Sequence, residues 1–142
     1  MKKINFVNND APYLSAENLN QMQDNIEEAI GEIVESGTSG GIDYIKYGNG
    51  TLIQHFIQTI TTSESRNAGG LTYYSGEVSI DLPIPFVNTS YRIFANVAMA
   101  NMNYFAQSYG APISNNRMQI SFASTEQNGT RPIHVFAIGK WK

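Results

Sequence analysis

The chain has 142 residues, 42% of them hydrophobic and 15% charged, with a net charge of −3 and no cysteine. That length suits one main domain, or a small N-terminal piece plus a domain of about a hundred residues that buries roughly two thirds of the unfolded chain's surface. The missing thiols exclude disulfides and thiolate metal sites. Residues 1–42 hold seven acidic and two basic side chains (−5), whereas residues 43–142 hold five acidic and seven basic (+2). The basic residues of the second part are scattered, so neither part has the footprint of a nucleic-acid binder.

The opening MKKINFVNND has two lysines but no apolar run behind them, and no stretch of eighteen apolar residues follows anywhere. Neither a signal peptide nor membrane insertion is expected. Ile4, Phe6 and Val7 alternate loosely with polar residues ahead of Asn8, Asn9, Asp10 and Pro12, so residues 1–14 read as an extended arm.

Residues 15–36 carry the one sustained helical period. Leu19, Met22, Ile26, Ala29 and Ile33 recur at steps of three and four, an a/d stripe with Ser15 as N-cap and Gly37 just beyond the end. A helix this short with Gly31 inside it is marginal alone, so its stripe needs a partner. Either it folds back on its own chain, or copies from separate chains pair as a short trimeric coiled coil. Isoleucine at a and d favours three strands, but methionine and alanine at d settle little. Residues 37–41, at the end of SGTSGG, read as a flexible Gly/Ser linker.

From residue 42 to 142 the period changes to two. Ile42–Tyr47 and Thr51–Thr62 flank Gly48-Asn49-Gly50 as a hairpin, and residues 63–72 read as a polar loop. Tyr73–Leu82 is a strand that Pro83 and Pro85 end. Tyr91–Met99 follows, then one weak strand within residues 101–116, then Met118, Ile120 and Phe122 in alternation, a turn over 126–132, and a last strand Ile133–Trp141. Six to seven strands with one N-terminal helix give a mainly β chain, an antiparallel β-sandwich head. Several strands are apolar on both faces, which fits either a thick monomeric core or a sheet face buried against a neighbouring copy.

The run APYLSAENLNQMQDNIEEAI is similar to the leader common in bacteriophage tail and baseplate proteins. The segments YIKYGNGTLIQHF, SIDLPIPFVNTSYRIFANV and HVFAIGKWK resemble the distal domain of phage tail fibres, differing at His55 and Phe56, where tryptophan and glycine are usual. The resemblance implies a homotrimer with a lectin-like β-sandwich head, fixed to the virion tail by its N-terminus and binding a host-surface glycan or protein receptor during attachment. A structural baseplate or fibre-connector protein is the alternative.

Catalytic chemistry is thin. His55 and His134 sit inside strands with no nucleophile motif nearby, and Asp43, Glu64, Glu77, Asp81 and Glu126 form no glycosidase-type pair in the sequence. No catalytic residue, metal site or cofactor is expected. Carbohydrate sites combine an aromatic platform with amide and guanidinium donors, because a pyranose has an apolar face and a hydroxyl rim. Residues of those types are Tyr73, Tyr74, Asn101, Asn103, Tyr104, Tyr109, Asn115, Asn116, Arg117, Asn128 and Arg131. Loops at one end of a sandwich would gather them, within or between subunits. For the tyrosines packing, and for the asparagines turn formation, is the competing reading.

Overall fold

The computed structural model of the chain describes residues 16–97 and 106–142. The arm, Ser15, Asn101, Asn103, Tyr104 and the side chain of Ala29 lie outside the described residues. Helix α1 (Ala16–Ile30) is followed by β1 (Ile33–Ser39), β2 (Ile42–Tyr47), β3 (Thr51–Thr61), β4 (Glu64–Ala68), β5 (Leu71–Asp81), β6 (Arg92–Val97), β7 (Ala106–Ser114), β8 (Arg117–Ser124) and β9 (Thr130–Lys140). All pairings are antiparallel, in a five-stranded sheet β1-β2-β3-β9-β6 and a four-stranded sheet β4-β5-β8-β7.

Strand alternation makes the core. Leu52, Phe56 and Ile60 of β3 and Ile133, Val135 and Ala137 of β9 point inward to meet Met118, Ile120 and Phe122 of β8 in one buried cluster. Each of the larger side chains contributes about 1.5–3 kcal/mol by leaving water. The connection between β5 and β6 closes one end. Its N–H groups at Leu82 and Phe86 donate to the carbonyls of Asn116 and Asn115, and that of Val87 to Lys140. The Phe86 and Tyr91 rings stack with centroids 4.3 Å apart against Gly139, where an added Cβ would lie 2.6 Å from Tyr91 Cβ. The Tyr91 hydroxyl donates to the carbonyls of Ser114 and Arg117, and burial raises its pKa, so it stays a donor. Gln54 is buried in this region and its Nε2 donates to the Ile84 carbonyl at 3.0 Å. Trp141 donates through its backbone N–H to Gly50 and through Nε1 to Tyr47. Three stretches far apart in sequence, GNGTL, PIPFVNTSY and IGKWK, thus close on one another around Gly139.

Three expectations are corrected. The helix ends at Ile30, not at residue 36, because Gly31 adopts φ +73°, a left-handed stop that a helix interior cannot hold. Ile33 therefore leaves the stripe and pairs opposite Tyr47 in β1. Residues 37–41 are not a loose linker: Gly40 and Gly41, at φ +57° and +79°, make the two-residue turn of a β1–β2 hairpin, the conformation such a turn demands. Tyr44 lies across Gly37 and supplies the packing surface that glycine lacks. Residues 64–68 likewise form a strand, turning at Gly69-Gly70 into β5. The strand count is accordingly nine among the described residues.

Edge strand β1 is stapled by Glu35, whose carboxylate accepts from Lys46 Nζ at 2.7 Å and from the Tyr44 hydroxyl at 2.8 Å. The Lys46 bond, then the Tyr44 bond, holds this carboxyl below its ordinary 4.5, and the Tyr44 hydroxyl is raised in turn. A depressed carboxyl gives stability that is present above its ordinary value and lost as pH falls through the folded one. Hydrogen exchange of β1 amides, corrected for intrinsic rate, is expected to quicken relative to β3 as pH drops below about 4.5, and Glu35→Gln to show the quick rate at neutral pH.

Candidate functional site

The two sheets present contrasting faces to solvent. On the four-stranded sheet, the outward positions include Ser75, Glu77 and Ser79 of β5, Gln119, Ser121 and Ala123 of β8, and Gln107, Tyr109 and Ala111 of β7, aligned by register. Around Tyr109, half exposed at the centre of β7, this face is small and polar; Leu71 and Tyr73 of β5 lie on it farther off, toward the β4–β5 turn. The tripeptide around it explains its direction. Ser108 Oγ donates to the Ala95 carbonyl of β6 at 2.8 Å, and Gly110 meets Ile93 so closely that a Cβ would come within 2.3 Å of Ile93 Cγ2. With both neighbours turned toward β6, alternation sends the Tyr109 ring outward.

Two hollows share that ring. One, of about 200 Å³, is lined by Ser75, Gln107, Ser108 and Ser121 among others. The second, of about 430 Å³, lies between β6 and β7 and adds Asn96, Phe94 and Gly110. An aromatic face bordered by hydroxyls and amides, without a fixed cation, can stack on an apolar sugar face and bond its hydroxyls.

Among the described residues, the rest of the expected set does not gather there. Asn115, Asn116 and Arg117 lie at one end of β8: the asparagine carbonyls hold the 82–86 segment, and Arg117 Nε faces Asp81 at 3.5 Å. Tyr73 and Tyr74, paired with Arg66 and Ser124, lie toward the other end, where the Glu126 N–H donates to Ser124 Oγ and brings Arg131 and Asn128 near. The ends of β8 are seven residues apart, about 24 Å. Asn128 takes φ +56° and its N–H donates to the Thr62 carbonyl, as a turn former does. Arg131 is engaged by Glu126 at 2.5 Å. Asn96, Gln107, Ser75 and Ser121 were not legible as site residues, since only register places them beside Tyr109.

Of the five acids of residues 43–142, Glu64, Asp81 and Glu126 are held by Arg66, Arg117 and Arg131, and Asp43 accepts from the Thr38 hydroxyl. His55 and His134 sit on the outer face of the five-stranded sheet, ring centroids 6.4 Å apart, with Phe136 stacked on His55 at 4.3 Å. Among the described residues no group of three His, Asp or Glu side chains could hold a metal, and no helix is long and apolar enough to cross a membrane.

No protein-family profile matches the chain, and no curated protein does. Among solved structures it is similar to the P. aeruginosa R1 pyocin fibre, in a structure comprising that fibre's C-terminal residues 323–701, with a TM-score of 0.45 and 14% identity. The alignment covers 91% of this chain and 32% of that one, so the chain spans about a third of the fibre fragment. The likeness is distant.

Proposed function

We propose that the chain is a non-enzymatic receptor-binding tip of a phage-type tail, a homotrimer carried on the virion, whose β head binds a host-surface glycan while its N-terminal segment engages other tail proteins. The observation that carries the receptor reading is Tyr109, an outward aromatic ring shared by two hollows with a hydroxyl and amide border. The resemblance of both sequence regions to tail proteins supplies the setting. Support for assembly comes from the helix stripe, where Met22 and Ile26 are 54% and 53% exposed on the single chain, and a stripe so uncovered is stabilised by copies of itself.

The test is a glycan array and a host-cell binding assay with the purified full chain, together with a reducing-end assay on host polysaccharide. Saturable binding to a defined sugar set without release of reducing ends is expected. Binding to neither glycans nor host cells, with capture of tail proteins, would favour a connector role, and release of reducing ends would make the protein a depolymerase.

A further inference from the structure

The outer face of the five-stranded sheet is unlike an ordinary solvated sheet surface. Register sets Ile45, Ile53 and Ile138 in one row and His55, Phe136 and Phe94 in the next, with Ile57, His134 and Asn96 beyond. Phe94 is 63%, Ile57 56% and Phe136 47% exposed. A contiguous apolar sheet face of this kind marks an interaction surface.

Its margins say what covers it. Asp43 on β2, one strand in from the β1 edge, bounds the apolar patch on one side, in the row of His55 and Phe136; Arg92 on β6 bounds it on the other, in the row of Ile53 and Ile138. Arg92 makes no ion pair among the described residues, and Asp43 has only the Thr38 hydroxyl. A face with opposite charges on opposite margins complements a second copy of itself: placed head to tail, one Asp43–Arg92 contact per neighbour closes into a ring, whereas a two-fold pair would make that contact twice and stop at two copies. The apolar surface also continues through Ile33, register-paired with Tyr47 next to the end of α1, so one neighbour could cover both the helix stripe and the sheet.

We propose that copies of this chain assemble head to tail through the outer face of the five-stranded sheet, with the β2 margin of one copy, at Asp43, meeting the β6 margin of the next, at Arg92. This rests on the trimeric reading for the number of copies but not for the face or its polarity. It leaves Tyr109 and the 200 Å³ hollow of the four-stranded sheet directed outward, while the hollow between β6 and β7, which Phe94 and Asn96 line, falls at the rim of this interface.

Sedimentation equilibrium of the full chain tests it. Asp43→Arg and Arg92→Asp are each expected to weaken association at least tenfold, and the double charge swap to restore it. Ile57→Lys with Phe94→Glu is expected to give a single 15.7 kDa species with unchanged far-UV circular dichroism, because both side chains point out of the fold. A failed charge swap, or a complex whose mass the Ile57/Phe94 variant leaves intact, overturns the proposal. So does a wild-type chain that stays single at every concentration. An assembly that obeys these variants yet binds no receptor supports this interface and removes only the receptor reading.

Discussion

Gly76→Ala is expected to destabilise the protein by about 3 kcal/mol, at the upper end of the range for overpacking, and to cut its yield of folded chain. A Cβ at this position would lie 2.1 Å from the Thr61 carbonyl oxygen and 3.0 Å from Ile60 Cγ2. The obstacle is backbone, so no rotamer change can relieve it. Thr61 is the last residue of β3 in one sheet, and Gly76 belongs to β5 in the other. The two strands meet where the chain crosses between sheets, a corner also tied by the Ser63 N–H to the Ser75 carbonyl. Moving β5 away to admit a methyl group would draw Val78 and Ile80 out of contact with the core. Chemical denaturation of the variant measures the loss. A midpoint equal to the wild type's would mean that the corner yields freely and that the sheets are not locked there.

The sheet period of two was readable wherever a strand has one buried face. The alternations of Leu52, Phe56 and Ile60, of Met118, Ile120 and Phe122, and of Val135 and Ala137 all face the core. It was unreadable where a strand buries nothing. β1 (IVESGTS) and β4 (ESRNA) are exposed along their whole length, so no hydrophobic signal separates them from loops, and only pairing with β2 and β5 makes them strands. The glycine pairs carried the missing information. Gly40-Gly41 and Gly69-Gly70 all take positive φ, which is what a tight hairpin needs and a linker does not. Gly31 gave the helix end in the same way. The apolar period ran past it to Ile33, but backbone conformation outweighed side-chain pattern.

The candidate site was legible only in part, for a different reason. Residue type alone picked out Tyr109, yet gave the same weight to Asn115, Asn116 and Asn128, whose backbone groups close turns and loops. Position in the sandwich separates them. The small hydroxyl side chains that border the Tyr109 hollow come from three strands and become neighbours through register.

Tyr109→Ala is expected to lower glycan affinity at least tenfold, the loss typical of an aromatic anchor at the centre of a binding surface, while leaving the folding stability within about 0.5 kcal/mol, as for an exposed side chain. The ring stands out from β7 and its removal opens no core cavity, because the inward contacts of that stretch belong to Ser108 and Gly110. Tyr109→Phe keeps the stacking face and removes one hydroxyl, so it is expected to retain most of the affinity. Arg131→Gln, by contrast, breaks the part-buried pair with Glu126 and is expected to lower stability before it touches binding. Titration of each variant with the best sugar from the array gives the comparison. If the alanine variant binds as the wild type does and the Arg131 variant does not, recognition lies where Glu126 meets Arg131 at the start of β9, and the Tyr109 hollow is only a gap in the seam between β6 and β7.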